Sequence, residues 1–185
     1  MIFTSSTFFV FALALAVLFA LVRGQTGREL LLLGASYVFY AAWDFRFLAL
    51  IGGYTLLGWI GGLLISRKHP PQRSLFLTGV FVAISLSGLF FFKYAELLHT
   101  TIFSFLGDQN IKPLGIVLPI AISFTTFEVI SYIVDVYRGT VAPTHSLRKY
   151  ALFMAFFPRL VAGPIIRPAQ FLPQIESPII FCRRI

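Results

Sequence analysis

The chain has 185 residues, of which 58% are hydrophobic and 12% charged, and its mean hydropathy is +0.87. A soluble domain averages about 25% charged residues, so a fold in water could not hide this much apolar surface. The net charge of +8 does not indicate nucleic-acid binding, because the basic residues cluster in short gaps between apolar runs. The composition predicts an all-α, polytopic bundle of transmembrane helices in a lipid bilayer, with no nucleic-acid partner.

Three apolar runs in the first 65 residues predict three membrane spans. The runs are Phe8–Val22, about 29–42 and about 45–65, and an interfacial turn at 43–46 separates the second from the third. The first run has no preceding basic residue and no following cleavage site, so we expect a retained span and not a signal peptide. Small residues permit close helix packing in a membrane, and the third run carries Gly52, Gly53, Gly58, Gly61 and Gly62.

The remaining apolar segments predict two further spans and two partial elements. The spans are Ser74–Phe92 and Ile116–Val136. Residues 93–107 are too polar for a crossing and predict a separate interfacial helix, whereas 150–168 are apolar but broken by proline and predict a re-entrant segment. The basic gaps at 23–28, 67–73 and 138–149 place these loops in the cytoplasm and the N-terminus outside. The result is about five spans.

Polar side chains recur along one face of the fifth predicted span. Glu128, Ser131, Tyr132 and Asp135 follow the spacing i, i+3, i+4 and i+7, which places them on one stripe of a helix. Ionisable groups in a membrane helix face the protein interior or water and often serve function. Two interpretations stay open: the stripe lines a route for reactants, or Glu128 bonds to a neighbouring helix and Asp135 lies at the cytoplasmic boundary.

The proline-broken segment contains Arg159, Gly163 and Pro164. An arginine among apolar residues requires an anion, which could be Glu128, Asp135, a lipid headgroup or a phosphate on a substrate. A structural bend with Arg159 reaching the interface is the alternative. The three histidines and one cysteine show no metal-ligand spacing, so no metal site is predicted.

Four sequence blocks and one arginine stand out in order along the chain: Ala35-Ser-Tyr-Val-Phe-Tyr-Ala-Ala-Trp-Asp44, Leu118-Pro-Ile-Ala-Ile-Ser-Phe-Thr-Thr-Phe127, Ser131-Tyr-Ile-Val-Asp-Val-Tyr-Arg-Gly139, Phe157-Pro-Arg-Leu-Val-Ala-Gly-Pro-Ile165 and Arg167. Together these motifs resemble the membrane-bound O-acyltransferase family, in particular its bacterial alginate O-acetyltransferase branch. The similarity covers nearly all of 29–178, and one departure is Ala121, where the family usually has glycine.

The resemblance implies an enzyme of the bacterial inner membrane that passes an acyl group to a hydroxyl of a secreted or surface polysaccharide such as alginate. It implies an acetyl-type donor as co-substrate, no cofactor, and periplasmic acetylation partner proteins. Residues 1–178 would be the N-terminal part of the family's membrane domain, followed by an atypical tail at 179–185. The family's catalytic histidine lies in its second half, and His69, His99 and His145 do not stand at that position.

No catalytic residue is therefore assigned to this chain, and the isolated chain is expected to be inactive. Seven residues are expected to line the tunnel for the reactants or to position a reactant in it: Glu128, Ser131, Tyr132, Asp135, Arg159, Gly163 and Pro164. The alternatives are a transporter- or permease-like fragment and a non-catalytic membrane fragment. The order of the motif blocks, and a first half that does not recur in inverted form, favour the acyltransferase.

Overall fold

The computed structural model describes residues 6–42, 44–65, 70–106, 114–119, 121–162 and 167–176. Within these ranges the chain is helical and contains no strand, which confirms the all-α prediction. The helices of the described ranges are α1 (Ser6–Leu21), α2 (Gln25–Ala41), α3 (Phe47–Ile65), α4 (Pro71–Phe105), α5 (Ile122–Arg138), α6 (Leu147–Ala155), α7 (Phe157–Ala162) and α8 (Pro168–Glu176).

The centre of the bundle is α3, which packs against α2, α4, α5 and α6. Its glycines make this possible: a Cβ atom added to Gly62 would lie 2.5 Å from Tyr132 of α5, and one added to Gly58 would overlap the hydroxyl of Tyr150 of α6. Gly61 meets Phe81 in the same way. The predicted close packing is confirmed at these three glycines. It is wrong for Gly52 and Gly53, where an added Cβ would meet no heavy atom of the described residues within 4 Å.

The bundle has an apolar core and an apolar outer surface. The core joins α3, α4, α5, α6 and α8, and Val129, Tyr132, Ile133, Tyr150 and Phe153 are completely buried in it. Large apolar side chains also cover the outside of α1 and α4. Examples are Phe9, Phe76 and Phe105, which are 65%, 70% and 91% exposed. A water-soluble protein of this size rarely shows so much contiguous apolar surface, whereas a bilayer accommodates it. The chain is a membrane protein.

Two of the predicted spans, α3 and α4, are long and apolar enough to cross a bilayer. The helices α1, α2 and α5 have 16, 17 and 17 residues, or about 25 Å each at 1.5 Å per residue. The hydrocarbon core is about 30 Å thick, so these three fall a little short by length alone. The number of spans, their orientation and the re-entrant path remain predictions.

The prediction of a separate interfacial helix at 93–107 is wrong, because α4 runs without a break from Pro71 to Phe105. Residues 89–105 contain no proline or glycine, so nothing interrupts the backbone hydrogen bonds where the polar residues begin. Polar side chains determine whether a helical segment lies in water or in lipid, but they do not interrupt the helix. With 35 residues α4 is about 52 Å long and extends beyond the hydrocarbon core.

The helix that carries the polar stripe starts later than predicted, at Ile122 instead of Ile116. Residues 114–119 are irregular, because Pro119 disfavours helical geometry in the residue before it. Ala121 then adopts a left-handed conformation with φ 61°, which glycine accepts more readily than alanine. This is the position at which the resembling family usually has glycine, so the departure carries a small backbone strain.

The proline-broken segment begins with a capped helix and breaks at Phe156. The hydroxyl of Ser146 accepts a hydrogen bond from the amide of Lys149, which fixes the start of α6. At Phe156 ψ is 103°, which separates α6 from α7, and Pro158 follows in the first turn of α7, where its missing N–H costs no hydrogen bond.

Candidate functional site

The fifth predicted span and the proline-broken segment meet in a buried ion pair between Glu128 of α5 and Arg159 of α7. The Nη2 atom of Arg159 lies 2.7 Å from Oε1 of Glu128, and the two side chains are 4% and 6% exposed. Of the anions that the sequence offered to Arg159, the structure thus places Glu128 against it. A charge-assisted contact this short in a low-dielectric interior fixes the orientation of both groups.

Aromatic rings and a backbone carbonyl complete the surroundings of Arg159. Its Nη2 atom also donates a hydrogen bond to the carbonyl oxygen of Phe153, at 2.5 Å. The guanidinium carbon lies 4.5 Å from the ring centroid of Phe153 and 5.1 Å from that of Phe171 of α8. Cation–π contacts strengthen when both partners are removed from water, as here. The guanidinium is therefore held from several sides and cannot swing to the bilayer interface without losing them.

Four polar atoms around this pair are buried without a hydrogen-bond partner in the described part of the chain. They are Oε2 of Glu128, Nε and Nη1 of Arg159, and the hydroxyl oxygen of Tyr150. An unpaired buried polar group costs about 1–3 kcal/mol, so native interiors contain few. One acceptor and several donors lie within two adjacent side chains. Such a set can bind water or a hydroxyl group.

The stripe on α5 divides into buried and partly exposed members. Tyr132 is buried, and its hydroxyl oxygen accepts a hydrogen bond of 2.9 Å from the amide of Thr144 in the α5–α6 loop. Ser131 and Asp135 are partly exposed. The carboxylate of Asp135 forms no ion pair with any described residue, while its backbone carbonyl accepts hydrogen bonds from Thr140. Tyr132 therefore anchors a loop, and the polar centre is formed by Glu128.

Gly163 and Pro164, the other two residues singled out in the sequence, lie outside the described residues. In the described ranges, no group of three or more His, Cys, Asp or Glu side chains could hold a metal ion.

A second ion pair, between Glu29 and Arg148, is not predicted from the sequence. Nε of Arg148 on α6 lies 2.8 Å from Oε2 of Glu29 on α2, with side chains 34% and 7% exposed. The two residues are 119 positions apart, so no local pattern relates them. A solitary Glu at the start of an apolar run was the available signal, because a buried carboxylate requires a cation somewhere in the fold.

Comparison with known proteins finds relatives over almost the whole chain. It is 45% identical over 184 residues to a Pseudomonas aeruginosa protein named probable alginate O-acetylase, which covers 95% of this chain and 35% of the relative. It is 41% identical over 184 residues to a Pseudomonas putida protein of the same name, covering 96% of this chain and 37% of that protein. A Helicobacter pylori protein named peptidoglycan O-acetyltransferase is 29% identical over 187 residues, 87% of this chain and 35% of its own length. No protein-family profile and no solved structure matches.

These relatives confirm the resemblance to O-acyltransferases. The particular relatives at 40–45% identity carry the name alginate O-acetylase, so the similarity is to that branch. The chain spans about a third of the length of the relatives it matches.

Proposed function

We propose that this chain is part of an O-acetyltransferase that moves an acetyl group from a cytoplasmic donor to a hydroxyl of a secreted or surface polysaccharide such as alginate. Support comes from the identity to alginate O-acetylases along nearly the entire chain and from its membrane character. The enzyme would be a multi-pass protein of the bacterial inner membrane, and periplasmic acetylation proteins would be its partners. Residues 1–178 would form the N-terminal part of the membrane domain.

The observation that carries the proposal is the buried Glu128–Arg159 pair. Arg159 belongs to a motif block shared with the family and Glu128 lies between two such blocks, and the two residues meet in an apolar interior where unpaired charges are costly. Their unpartnered atoms offer an acceptor at Oε2 of Glu128 and donors at Nε and Nη1 of Arg159. A hydroxyl both donates and accepts, so it can bind between these atoms. Glu128 and Arg159 would position a reactant on its route.

The proton transfer would be performed elsewhere in the enzyme. A general base must lie within hydrogen-bond reach of the hydroxyl it activates. Arg159 stays protonated, and Glu128 is engaged by Arg159, so neither suits that role. We therefore expect the isolated chain to transfer no acetyl groups, and we assign it lining and positioning residues without a catalytic one.

A chimera tests this proposal. Residues 1–178 would replace the matching region of the Pseudomonas aeruginosa relative, in cells that lack the relative's own gene. We expect the chimera to restore acetyl esters on secreted alginate, measured by infrared or proton magnetic resonance spectroscopy. The isolated chain, produced to the same level, should restore none.

Two variants of the chimera separate positioning from folding. Glu128→Gln keeps the shape of the side chain and can still accept at its amide oxygen, and we expect acetylation to fall about tenfold or more with membrane insertion unchanged. Arg148→Gln, at the other ion pair, is the matched control and should retain activity. A chimera that inserts normally and leaves alginate unacetylated would refute the proposed function. Equal activity of the Glu128→Gln and Arg148→Gln chimeras would remove the positioning role alone.

A further inference from the structure

A cavity separate from the buried pair lies where the α5–α6 loop faces α8. Its volume is about 390 Å³, far more than the roughly 10–15 Å³ that a single water requires on such a measure. The loop residues 140–146 form one wall and α8 forms the other. The cavity is accessible from outside and does not include Glu128 or Arg159.

The charge around this cavity is positive. Lys149 and His145 line it, and none of its lining residues is acidic. The segment 138–149 contains Arg138, Arg148 and Lys149 without a single Asp or Glu. Arg148 is occupied by Glu29, whereas Lys149 forms no ion pair with any residue that the structure describes. Asp135 and Glu128 are the acidic residues of α5, and neither reaches the cavity wall. Lys149 thus gives the cavity lining a basic side chain that no acidic lining residue balances.

Hydrogen-bond donors accompany this charge. The oxygen of Ser146 accepts from the amide of Lys149, which leaves the hydroxyl hydrogen of Ser146 free to donate. The hydroxyl of Thr140, in contrast, already donates to the carbonyl oxygen of Asp135. A cation and a hydroxyl donor side by side suit a phosphate oxygen, which accepts several hydrogen bonds at once.

The opposite side of the cavity is apolar. Ala169, Leu172 and Pro173 of α8 line it. A wall that carries a cation and hydroxyl groups, facing an apolar wall, suits an amphipathic ligand whose phosphate meets Lys149 and whose hydrocarbon part meets α8. Basic pockets at the ends of membrane helices commonly bind the headgroups of anionic lipids.

We propose that this cavity binds a phosphate-bearing anionic group, supplied by an anionic phospholipid headgroup or by a soluble phosphorylated ligand. The phosphate lies against Lys149 and Ser146, and the neighbouring hydrocarbon lies against Leu172 and Pro173. The binding does not depend on acetyl transfer, so it is measured on the chain itself.

The experiment uses the purified chain in nonionic detergent. Binding of phosphatidylglycerol, phosphatidylcholine and inorganic phosphate is followed by native mass spectrometry and by calorimetry. We expect phosphatidylglycerol to bind more tightly than the zwitterionic phosphatidylcholine. Lys149→Gln should weaken phosphatidylglycerol binding about fivefold, as expected for the loss of one basic residue near an anionic group. Lys93→Gln, on the distant α4, is the matched control and should leave binding unchanged.

A second variant leaves the charge intact. Ala169 is exposed on α8 and lines the cavity, so Ala169→Phe fills the space and should also weaken binding. Competition by inorganic phosphate would assign the site to a soluble ligand, and binding of phosphatidylglycerol without such competition would assign it to a lipid. Equal binding of both phospholipids together with no binding of phosphate would overturn the proposal. Equal effects of the Lys149 and Lys93 variants, with Ala169→Phe inert, would do the same.

Discussion

Two Glu–Arg ion pairs within the described residues hold the α6–α7 segment against the bundle, and they differ chiefly in burial. Arg148 at the start of α6 pairs with Glu29 of α2 and is 34% exposed. Arg159 in α7 pairs with Glu128 of α5 and is 4% exposed. The N···O distances, 2.8 and 2.7 Å, are almost the same. The N···O distance alone therefore does not distinguish an ion pair at the protein surface from one in the interior.

The difference follows from what surrounds each pair. Water can reach the guanidinium of Arg148 and hydrate it if the pair breaks, so this pair contributes less to stability than one in which both partners are buried, although its carboxylate, Glu29, is 7% exposed. The atoms around Arg159 are aromatic rings and apolar side chains, which cannot replace its partner. A protein retains such a costly pair where its polarity is used, which is why the pair of Glu128 and Arg159 is the better candidate for function.

The most severe test of this comparison is Arg159→Ala. It leaves the carboxylate of Glu128 buried without a cation, and we expect the free energy of unfolding to fall by about 3–5 kcal/mol. The measurement is unfolding of the chain in mixed micelles with increasing sodium dodecyl sulfate. The double variant Glu128→Leu with Arg159→Met removes both charges at similar volume and should recover most of this loss. If Arg159→Ala costs no more than Arg148→Ala, burial does not distinguish the two pairs.

Packing beside the buried pair gives the next largest effect. Gly62→Ala places a methyl group 2.5 Å from the ring of Tyr132 and should lower the free energy of unfolding by about 1–3 kcal/mol. Gly53→Ala on the same helix is the control, because an added Cβ there has no contact within 4 Å among the residues that the structure describes. That change should be neutral or raise stability by up to about 1 kcal/mol through helix propensity. Similar losses for the two variants would contradict the close approach of α3 and α5.

Backbone strain at the start of α5 offers a smaller test of the opposite sign. Ala121 has a positive φ, so Ala121→Gly should raise the free energy of unfolding by about 1 kcal/mol. Ala95→Gly, in the regular interior of α4, should lower it by about 0.5–1 kcal/mol. Both are measured by the same denaturation. A loss at both positions would argue against the left-handed conformation at residue 121.

The smallest effect is expected at the pair of Arg148 and Glu29, in which only the arginine is partly exposed. Arg148→Ala should lower the free energy of unfolding by about 1 kcal/mol or less, because Arg148 is partly hydrated and removal of its side chain opens the carboxylate of Glu29, buried in the intact pair, to water. The difference from the unchanged chain should shrink in about 1 M salt, where exposed charges are screened. The cost of Arg159→Ala should persist in the same salt. A salt-independent loss above about 2 kcal/mol at Arg148 would remove the contrast between the pairs.

The sequence by itself determined that a lipid bilayer surrounds this protein and that its secondary structure is helical. Apolar runs with basic gaps require a membrane and helices, since only helices or closed barrels satisfy the backbone there. It also marked Glu128 and Arg159, because isolated charges in apolar runs stand out locally. Motif order indicated O-acyltransferases, and the alginate O-acetylase relatives bear this out. Helix boundaries are less predictable: the polar residues of 93–107 predict a boundary, whereas the backbone of α4 continues through them to Phe105.

Tertiary structure alone decided which charges meet and which remain apart. Glu128 and Asp135 share one stripe of α5, yet only the position of α7 in space brings Arg159 to Glu128 and not to Asp135. The pair of Glu29 and Arg148 spans 119 residues; the sequence marks Glu29 as a carboxylate that needs a cation, but no local pattern identifies Arg148 as its partner. Helical periodicity relates residues three or four positions apart. Contacts between helices depend on tertiary packing, which here requires glycine at positions 58, 61 and 62, where side chains of neighbouring helices approach the backbone of α3.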